Sequence, residues 1–295
     1  MVESMFKLAV ISDEVSQDLE VVAKFAQRHK LDGIEIRSVW NRQPQNLVEK
    51  ISDIKAILKK YDLAVSDIAS PFFKANIDSE EEYKKHIEIL KNVISLAKSL
   101  DTNIIRGFTF WRKGKYEDYV ERIVEKFQEP LDVLSDEGVI LAIENEPSTF
   151  ATNAKFVVDF LKRIGHKNLK AVWDPGNDLW DPYYETPFPD GYNVIKPYII
   201  HVHVKDGKRK GKERAEFTPI GEGDVDYLGQ IKALLLDDYK GYVSLETHWR
   251  VKGKLDRALE IAPGGEAFSS MGELSSDICM KKLKEIIQKA LEEIK

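Results

Sequence analysis

Short apolar runs recur along this chain, and a longer amphipathic segment follows nearly every one of them. The runs are mostly unbroken by polar residues, which is typical of parallel strands that are buried on both faces. The pattern predicts eight strands: Leu8–Ser12, Gly33–Arg37, Ala64–Ala69, Asn103–Phe108, Val139–Glu144, Leu169–Asp174, Tyr198–Val204 and Tyr242–Glu246.

Amphipathic helices are predicted between the strands. Apolar residues recur every three to four positions in Glu82–Leu100, Glu117–Ser135 and Ser276–Ile294, a spacing that forms one apolar helix face. Eight strand-then-helix units in series favour a single α/β domain, a (β/α)8 TIM barrel over residues 1–295. An open, doubly wound sheet is less favoured because no glycine-rich phosphate loop follows the first strand. A long loop, residues 247–276, comes after strand eight, and such loops are usually functional.

Composition and charge narrow the class of protein. The net charge is −6, whereas nucleic-acid binders usually present a basic surface, so we expect no nucleic-acid partner. No apolar run is long enough to span a membrane, and the N-terminal residues do not resemble a signal peptide. The single cysteine, Cys279, excludes an internal disulfide and a cysteine-rich zinc site. We expect a cytoplasmic protein without a membrane partner; the sequence leaves homo-oligomer formation open.

Carboxylates and an imidazole end the last four predicted strands. Glu144, Asp174, His203 and Glu246 stand at the ends of strands five to eight, where barrels of this kind place their working residues. Three carboxylates this close repel one another unless a cation neutralises them. Oxygen ligands with one imidazole suit a divalent ion. The sequence therefore predicts one bound metal ion, with Mn²⁺, Mg²⁺, Zn²⁺ and Co²⁺ as candidates.

Each of these residues also has an ordinary structural role open to it. A strand-end carboxylate often caps the next helix, and Glu144 or Asp174 alone could do only that. We expect His201 and His203 to face opposite sides of the sheet, so that only His203 enters the barrel. The coincidence on four neighbouring strands argues against a purely structural role for the whole set.

Five segments resemble the xylose isomerase-like barrel superfamily, most closely its sugar phosphate isomerase/epimerase group, which includes ketose 3-epimerases and inosose dehydratases. The segments are LAIENEP (141–147), WDPGN (173–177), HVHVKDG (201–207), PIGEGDVDY (219–227) and GYVSLETHW (241–249). They follow one another in the expected order at the ends of successive strands. The resemblance is clearest over residues 138–250, and it is specific for the superfamily rather than for one reaction.

The resemblance implies roles for individual residues. Glu144, Asp174, His203 and Glu246 would bind the metal, and Glu144 and Glu246 would also be the catalytic residues that carry protons. Glu222 and Lys205 match positions near the site in the family.

Two departures from the family pattern limit the assignment. Strands three and four end without histidine, so the three-metal site of endonuclease IV cannot be assembled, and a phosphodiesterase of that kind is the least favoured function. Asn177 stands where the epimerases often have a histidine, which weakens a strict ketose 3-epimerase assignment.

Proton transfer next to a carbonyl, through an enediolate, is the chemistry that such a site favours. The expected substrate-binding residues are Lys205, Arg106, Asn177, Glu222 and Trp111. We expect a metal-dependent isomerase or epimerase of a small carbohydrate, which is a sugar, sugar acid or sugar phosphate. The alternatives are an inosose-type dehydratase that uses the same metal site and a binding protein that has lost turnover.

Overall fold

Eight parallel strands close into a barrel at the centre of the structure, a computed structural model that describes residues 6–135 and 137–294. Around the barrel the strand order is β1-β10-β7-β6-β5-β4-β3-β2, and the pairing of β1 with β10 closes it. The barrel strands are β1 (Lys7–Ile11), β2 (Gly33–Ile36), β3 (Ala64–Phe72), β4 (Ile104–Gly107), β5 (Ile140–Glu144), β6 (Leu169–Trp173), β7 (Ile199–Val204) and β10 (Tyr242–Leu245). The predicted (β/α)8 barrel is confirmed, and the alternative of an open sheet is wrong.

Helices surround the barrel because each must bury its apolar face against the strands. They are α1 (Ser12–Val15), α2 (Leu19–Arg28), α3 (Ile51–Tyr61), α4 (Glu80–Ser99), α5 (Val120–Lys126), α6 (Gln128–Ser135), α7 (Ala154–Ile164), α8 (Tyr192–Ile195), α9 (Tyr227–Leu236), α10 (Arg257–Ile261), α11 (Gly265–Ser269) and α12 (Gly272–Glu293). Among the described residues, no helix is both long enough and apolar enough to cross a membrane.

The segment predicted as one helix over residues 117–135 is divided into α5 and α6 at Phe127. Pro130 lies in the first turn of α6 and has no N–H to donate. In a continuous helix its ring would also clash with the carbonyl group of Lys126, four residues earlier. The apolar periodicity continues across the break, so periodicity alone could not reveal it.

The other differences lie at the C-terminal end of the barrel. Strands β8 (Asp206–Gly211) and β9 (Arg214–Thr218) form an antiparallel hairpin directly after β7. The hairpin was not predicted because its residues are mostly polar and form no apolar run. The loop after β10 contains α10 and α11, and α12 begins at Gly272 rather than at Ser276. These additions cover the mouth of the barrel where the predicted site lies.

Candidate metal centre

Side chains from four neighbouring strands meet at the C-terminal mouth of the barrel. Glu144 ends β5, Asp174 follows β6, His203 lies in β7 and Glu246 follows β10. One ligand atom from each lies within 4.8 Å of the other three, and all four residues are buried. The ends of parallel barrel strands share one rim. The structure therefore brings the whole predicted ligand set to one point.

His203 is held in the way that metal-binding histidines usually are. Its Nε2 lies 3.0 Å from Glu35 Oε1. Its Nδ1 has no hydrogen-bond partner and lies 3.6 Å from both Glu144 Oε1 and Glu246 Oε2. A carboxylate on one ring nitrogen fixes the orientation of the imidazole and leaves the other nitrogen for a metal. The arrangement of His203 thus fits a divalent cation.

Two carboxylate oxygens in the same cluster face basic side chains. They are Glu144 Oε2, which lies 3.1 Å from Arg106 Nη1, and Asp174 Oδ2, which lies 2.8 Å from Lys205 Nζ. His203 Nδ1 is buried without a hydrogen-bond partner among the described residues, and a buried polar atom of this kind often marks a binding site for an ion. Oxygen ligands with one imidazole suit Mn²⁺, Mg²⁺ or Zn²⁺. The donor set therefore matches the predicted divalent metal.

His201 also points into the barrel, so the prediction that it faces away from His203 is wrong. Its Nε2 lies 3.0 Å from Glu35 Oε2 and 3.5 Å from Asp67 Oδ1. Residues two positions apart in a strand share a face, and the prediction had inverted this rule. His201 contacts Glu35 and Asp67 and takes no part in the four-residue cluster.

Basic side chains neutralise the carboxylates, which the repulsion argument from the sequence had not counted. Lys205 Nζ lies 2.7 Å from Glu246 Oε2 and 2.8 Å from Asp174 Oδ2. Arg106 Nη1 lies 3.1 Å from Glu144 Oε2. Charge repulsion alone therefore does not require a metal here. The case for a metal rests instead on the convergence of the four ligand residues and on His203 Nδ1, which has no hydrogen-bond partner among the described residues.

The surrounding charges decide which carboxyl groups are ionised. Burial opposes ionisation of Glu144, but Arg106 and His203 together outweigh it and lower the pKa to about 2. Burial also opposes ionisation of Glu246, but Lys205, His248 and Arg37 together hold its pKa well below the usual range. Burial raises the pKa of Asp174 to about 7 despite the attraction of Lys205. Glu144 and Glu246 are thus carboxylates at neutral pH.

Three of the predicted substrate-binding residues line the cavity at this centre. They are Arg106, Asn177 and Lys205. The Asn177 side-chain amide donates to Glu144 Oε1 at 2.9 Å and to the Asn145 carbonyl at 2.8 Å. The asparagine that replaces the expected histidine therefore orients a predicted metal ligand. The cavity itself is small, about 30 Å³.

Glu222 lies outside the site, contrary to its predicted role. Its carboxylate is half exposed and pairs with Lys282 at 2.8 Å. The backbone N–H groups of Gly221 and Gly223 donate to Asp206 Oδ2 at 2.8 and 3.0 Å, which turns the intervening Glu222 side chain outward. The two matching segments, HVHVKDG and PIGEGDVDY, are thus joined by a structural contact.

Trp111 was predicted to bind substrate, but it does not line the cavity at the metal centre. Its backbone pairs with Thr149 in an isolated bridge, and its ring lies 5.7 Å from Lys74 Nζ. The bridge holds Trp111 against the loop after β5. The ring consequently supports Lys74, which does line the cavity.

Arg37 is a site residue for which no role was predicted. It follows β2 and contacts three carboxylates: Asp13 Oδ1 at 2.7 Å, Glu14 Oε1 at 2.9 Å and Glu246 Oε1 at 2.5 Å. Barrel enzymes place their working residues at the C-terminal ends of strands. Arg37 follows β2, and Asp13 and Glu14 come shortly after β1, so their positions at strand ends could have revealed all three. Arg37 links the first two strands to Glu246 and fixes the position of that carboxylate.

Lys74 and the individual loop residues that reach the cavity were also missed. Lys74 Nζ lies 3.1 Å from Glu146 Oε2 and donates to the Ile261 carbonyl at 2.6 Å. Glu260 and Pro263 of the loop after β10 line the cavity, with Phe217 from the unpredicted hairpin. The length of that loop indicated a functional role, but nothing in the sequence indicated which of its residues, or Lys74, would line the cavity.

Comparison with known proteins identifies the family. The model of the xylose isomerase-like TIM barrel family matches residues 23–268, which is most of the chain, and the protein belongs to this family. The inosose dehydratase of Clostridium perfringens is 23% identical over 247 residues, which cover 73% of this chain and 78% of that protein.

Solved structures agree on the fold. The IOLI protein, which was solved with a binding zinc atom, has a TM-score of 0.72 at 16% identity, with 97% of this chain and 99% of that chain covered. An L-ribulose 3-epimerase has a TM-score of 0.69 at 16% identity, with coverage of 98% and 97%. At identities this low, the structural likeness shows the barrel fold alone. The reaction has to be argued from the site.

Proposed function

We propose that this protein is a divalent-metal-dependent isomerase or epimerase of a small sugar, sugar acid or sugar phosphate. The observation that carries the proposal is the convergence of Glu144 and Glu246 with Asp174 and His203 on one buried point. Two ionised glutamates beside one metal position are the groups that proton transfer next to a carbonyl requires. The similarity to an L-ribulose 3-epimerase supports this class of reaction.

The four residues of the cluster would hold the metal, which would supply a Lewis acid to polarise the carbonyl of the substrate. Glu144 and Glu246 are ionised because their pKa values are lowered, so either can remove the proton beside the carbonyl. The product of that step is an enediolate. Return of the proton by the same glutamate or by the other gives an isomer or an epimer of the substrate.

Other side chains keep the two glutamates in place. Asn177 and Arg106 contact the two oxygens of Glu144 at 2.9 and 3.1 Å. Arg37 and Lys205 contact the two oxygens of Glu246 at 2.5 and 2.7 Å. Each carboxylate thus has a fixed direction before substrate arrives, which lowers the cost of reaching the transition state.

Dehydration of a cyclic polyol, as by an inosose dehydratase, is the second candidate. The Lys205 ammonium lies within 2.8 Å of both Asp174 and Glu246, where it could protonate a departing hydroxyl group. A glutamate would remove the proton beside the carbonyl, and the hydroxyl would leave as water. The similarity to the inosose dehydratase of Clostridium perfringens favours this candidate over other lyases.

Incubation of the Mn²⁺-loaded protein in D₂O with keto-sugars, inososes and their phosphates, followed by NMR, distinguishes the two reactions. We expect deuterium at the carbon beside the carbonyl in an isomerised or epimerised product. Loss of water from the substrate would instead identify the dehydratase. Failure of every substrate in the panel to change would contradict both candidates.

The Glu246→Gln variant tests the mechanism in the same assay. It removes the base while keeping the side-chain shape, so turnover should fall by about 10²–10⁴-fold. Circular dichroism should match that of the unmodified protein. An unchanged rate would remove Glu246 from the reaction.

A further inference from the structure

A larger chamber adjoins the small cavity at the metal centre. Its volume is about 240 Å³, compared with about 30 Å³ beside Glu144 and Glu246. Arg37, Lys74 and Arg106 line both spaces and form their common wall. The metal-side cavity is too small for a whole sugar, so most of a substrate must extend into neighbouring space.

The lining of this chamber, called here the basic chamber, is unusual in its charge. Four basic residues line it, namely Arg37, Lys74, Lys85 and Arg106. Among the described residues in that lining there is no aspartate or glutamate. A group that enters from the metal centre therefore meets basic side chains in the lining, while the carboxylates paired with Arg37, Lys74 and Arg106 lie outside it.

A second neighbouring space has a different character. Its volume is about 160 Å³, and it shares Phe217, His248 and Glu260 with the metal-side cavity. Its lining mixes the carboxylates of Glu216 and Glu260 with basic and aromatic residues. Those carboxylates would repel an anion. The charge difference assigns an anionic group to the basic chamber.

Several polar groups of the basic chamber still have bonding capacity. Arg106 Nε is a buried N–H group with no hydrogen-bond partner among the described residues, so it can still donate to an oxyanion. Lys85 is exposed at the rim and makes no ion pair within the part of the chain that the structure describes. Lys74 has used two of its three ammonium donors, on Glu146 and on the Ile261 carbonyl, so one remains.

We propose that the basic chamber binds the terminal oxyanion of an anionic sugar, a carboxylate or a phosphate, while the carbonyl end of that sugar lies at the metal centre. This assignment rests on the proposed function and narrows its substrate class to sugar acids and sugar phosphates. Charge-assisted hydrogen bonds from lysine and arginine are the strong contacts for such groups. The contacts come from Lys74, Lys85 and Arg106, since the guanidinium nitrogens of Arg37 are bound to Asp13, Glu14 and Glu246.

Direct binding of inorganic phosphate and of glucuronate, measured by calorimetry, tests the chamber without any turnover. Lys85→Gln removes a rim cation that holds no structural contact, so it should weaken binding by about fivefold. Lys74→Gln should weaken it further. Lys84→Gln is the matched control, because Lys84 is an exposed neighbour on α4 that does not line the chamber. Equal affinity in all four proteins would overturn the proposal.

The two probes also separate the two kinds of oxyanion. Stronger Lys85-dependent binding of phosphate than of glucuronate would assign a sugar phosphate, and the reverse would assign a sugar acid. Lys85-dependent anion binding in a protein that turns over no keto-sugar would keep this inference and reject the proposed function. Turnover of neutral sugars without Lys85-dependent anion binding would keep the proposed function and reject this inference.

Discussion

At the scale of single residues, His86 is a buried histidine that the fold holds neutral. Its Nδ1 accepts a hydrogen bond from the Phe73 N–H at 2.8 Å, and its ring lies near those of Phe72 and Phe73. Burial lowers the pKa of His86 to about 4. Protonation would place a buried charge beside these rings and the positive charge of Lys85, and it would remove the acceptor. His86 therefore links the stability of the barrel to pH.

The direction of the pH effect follows from two pKa values: about 4 for His86 in the folded chain and 6.5 for an ordinary histidine. Above pH 6.5 His86 is neutral in both states, and its contribution to stability is complete. As the pH falls from 6.5 towards 4, His86 becomes protonated in the unfolded chain but stays neutral in the folded chain. By pH 5 the folded state should lose about 2 kcal/mol through this residue.

Urea unfolding at pH 7 and pH 5 measures that loss. The His86→Asn variant keeps an acceptor for the Phe73 N–H but does not titrate, so it provides the matched comparison. The unmodified protein should lose about 2 kcal/mol more than the variant between the two pH values. Equal losses in the two proteins would show that His86 is not the titrating group.

Position at a strand end made the central residues predictable. Glu144, Asp174 and Glu246 could be placed together because barrel strands end at a common rim. Lys74 and Lys85 could not, because they come from a loop and a helix whose position relative to the rim depends on packing. The charge balance of the site was misjudged for a different reason: Arg106 and Lys205 had been identified at strand ends, but the repulsion argument did not count their charges.

At the scale of elements, Asp206 joins the unpredicted hairpin to the loop that precedes α9. Its carboxylate is fully buried and accepts backbone hydrogen bonds from Gly207, Gly221, Gly223 and Val225. The chain between them consequently wraps around one side chain. The hairpin keeps its position through these bonds, since its own polar strands supply little apolar contact.

The Asp206→Ala variant should therefore destabilise the protein by about 3 kcal/mol, because buried N–H groups would lose their acceptor. Asp224→Ala is the matched control, since exposed Asp224 accepts one bond, from the Arg209 N–H at 2.8 Å. The control should cost no more than about 1 kcal/mol. Urea unfolding measures both changes, and equal effects would contradict the role of Asp206.

Element boundaries were predictable where burial on both faces produced an apolar run, as in β5 and β6. They were not predictable where one residue acts locally, as Pro130 does between α5 and α6. The hairpin of β8 and β9 is largely polar and only partly buried, so it leaves no apolar signature. Sequence patterns thus located the barrel but not the elements that cover its mouth.

At the scale of the whole molecule, a bound ion should stabilise the entire barrel. Glu144, Asp174, His203 and Glu246 come from four strands and converge when the barrel is closed, so an ion should bind the folded chain far better than the unfolded one. At a free concentration 100 times the dissociation constant, Mn²⁺ should add about 2.7 kcal/mol. The thermal midpoint should rise by about 4 °C.

Differential scanning fluorimetry with EDTA and then with excess Mn²⁺ measures this rise. Asp174→Asn is the matched control, because it removes one ligand charge at nearly constant volume, and its midpoint should respond much less. An unmodified protein whose midpoint ignores every divalent ion would contradict the metal centre.

The bridge from Lys205 to Asp174 and Glu246 has a consequence for the order in which the molecule is made. Each ligand carboxylate already faces a basic side chain of the same chain. A newly synthesised chain can therefore close its barrel before it meets an ion. Binding of a metal ion would then be an exchange at an already folded site, in which the Lys205 ammonium group is displaced by a divalent cation. Metal supply would govern activity in such a protein without governing its folding.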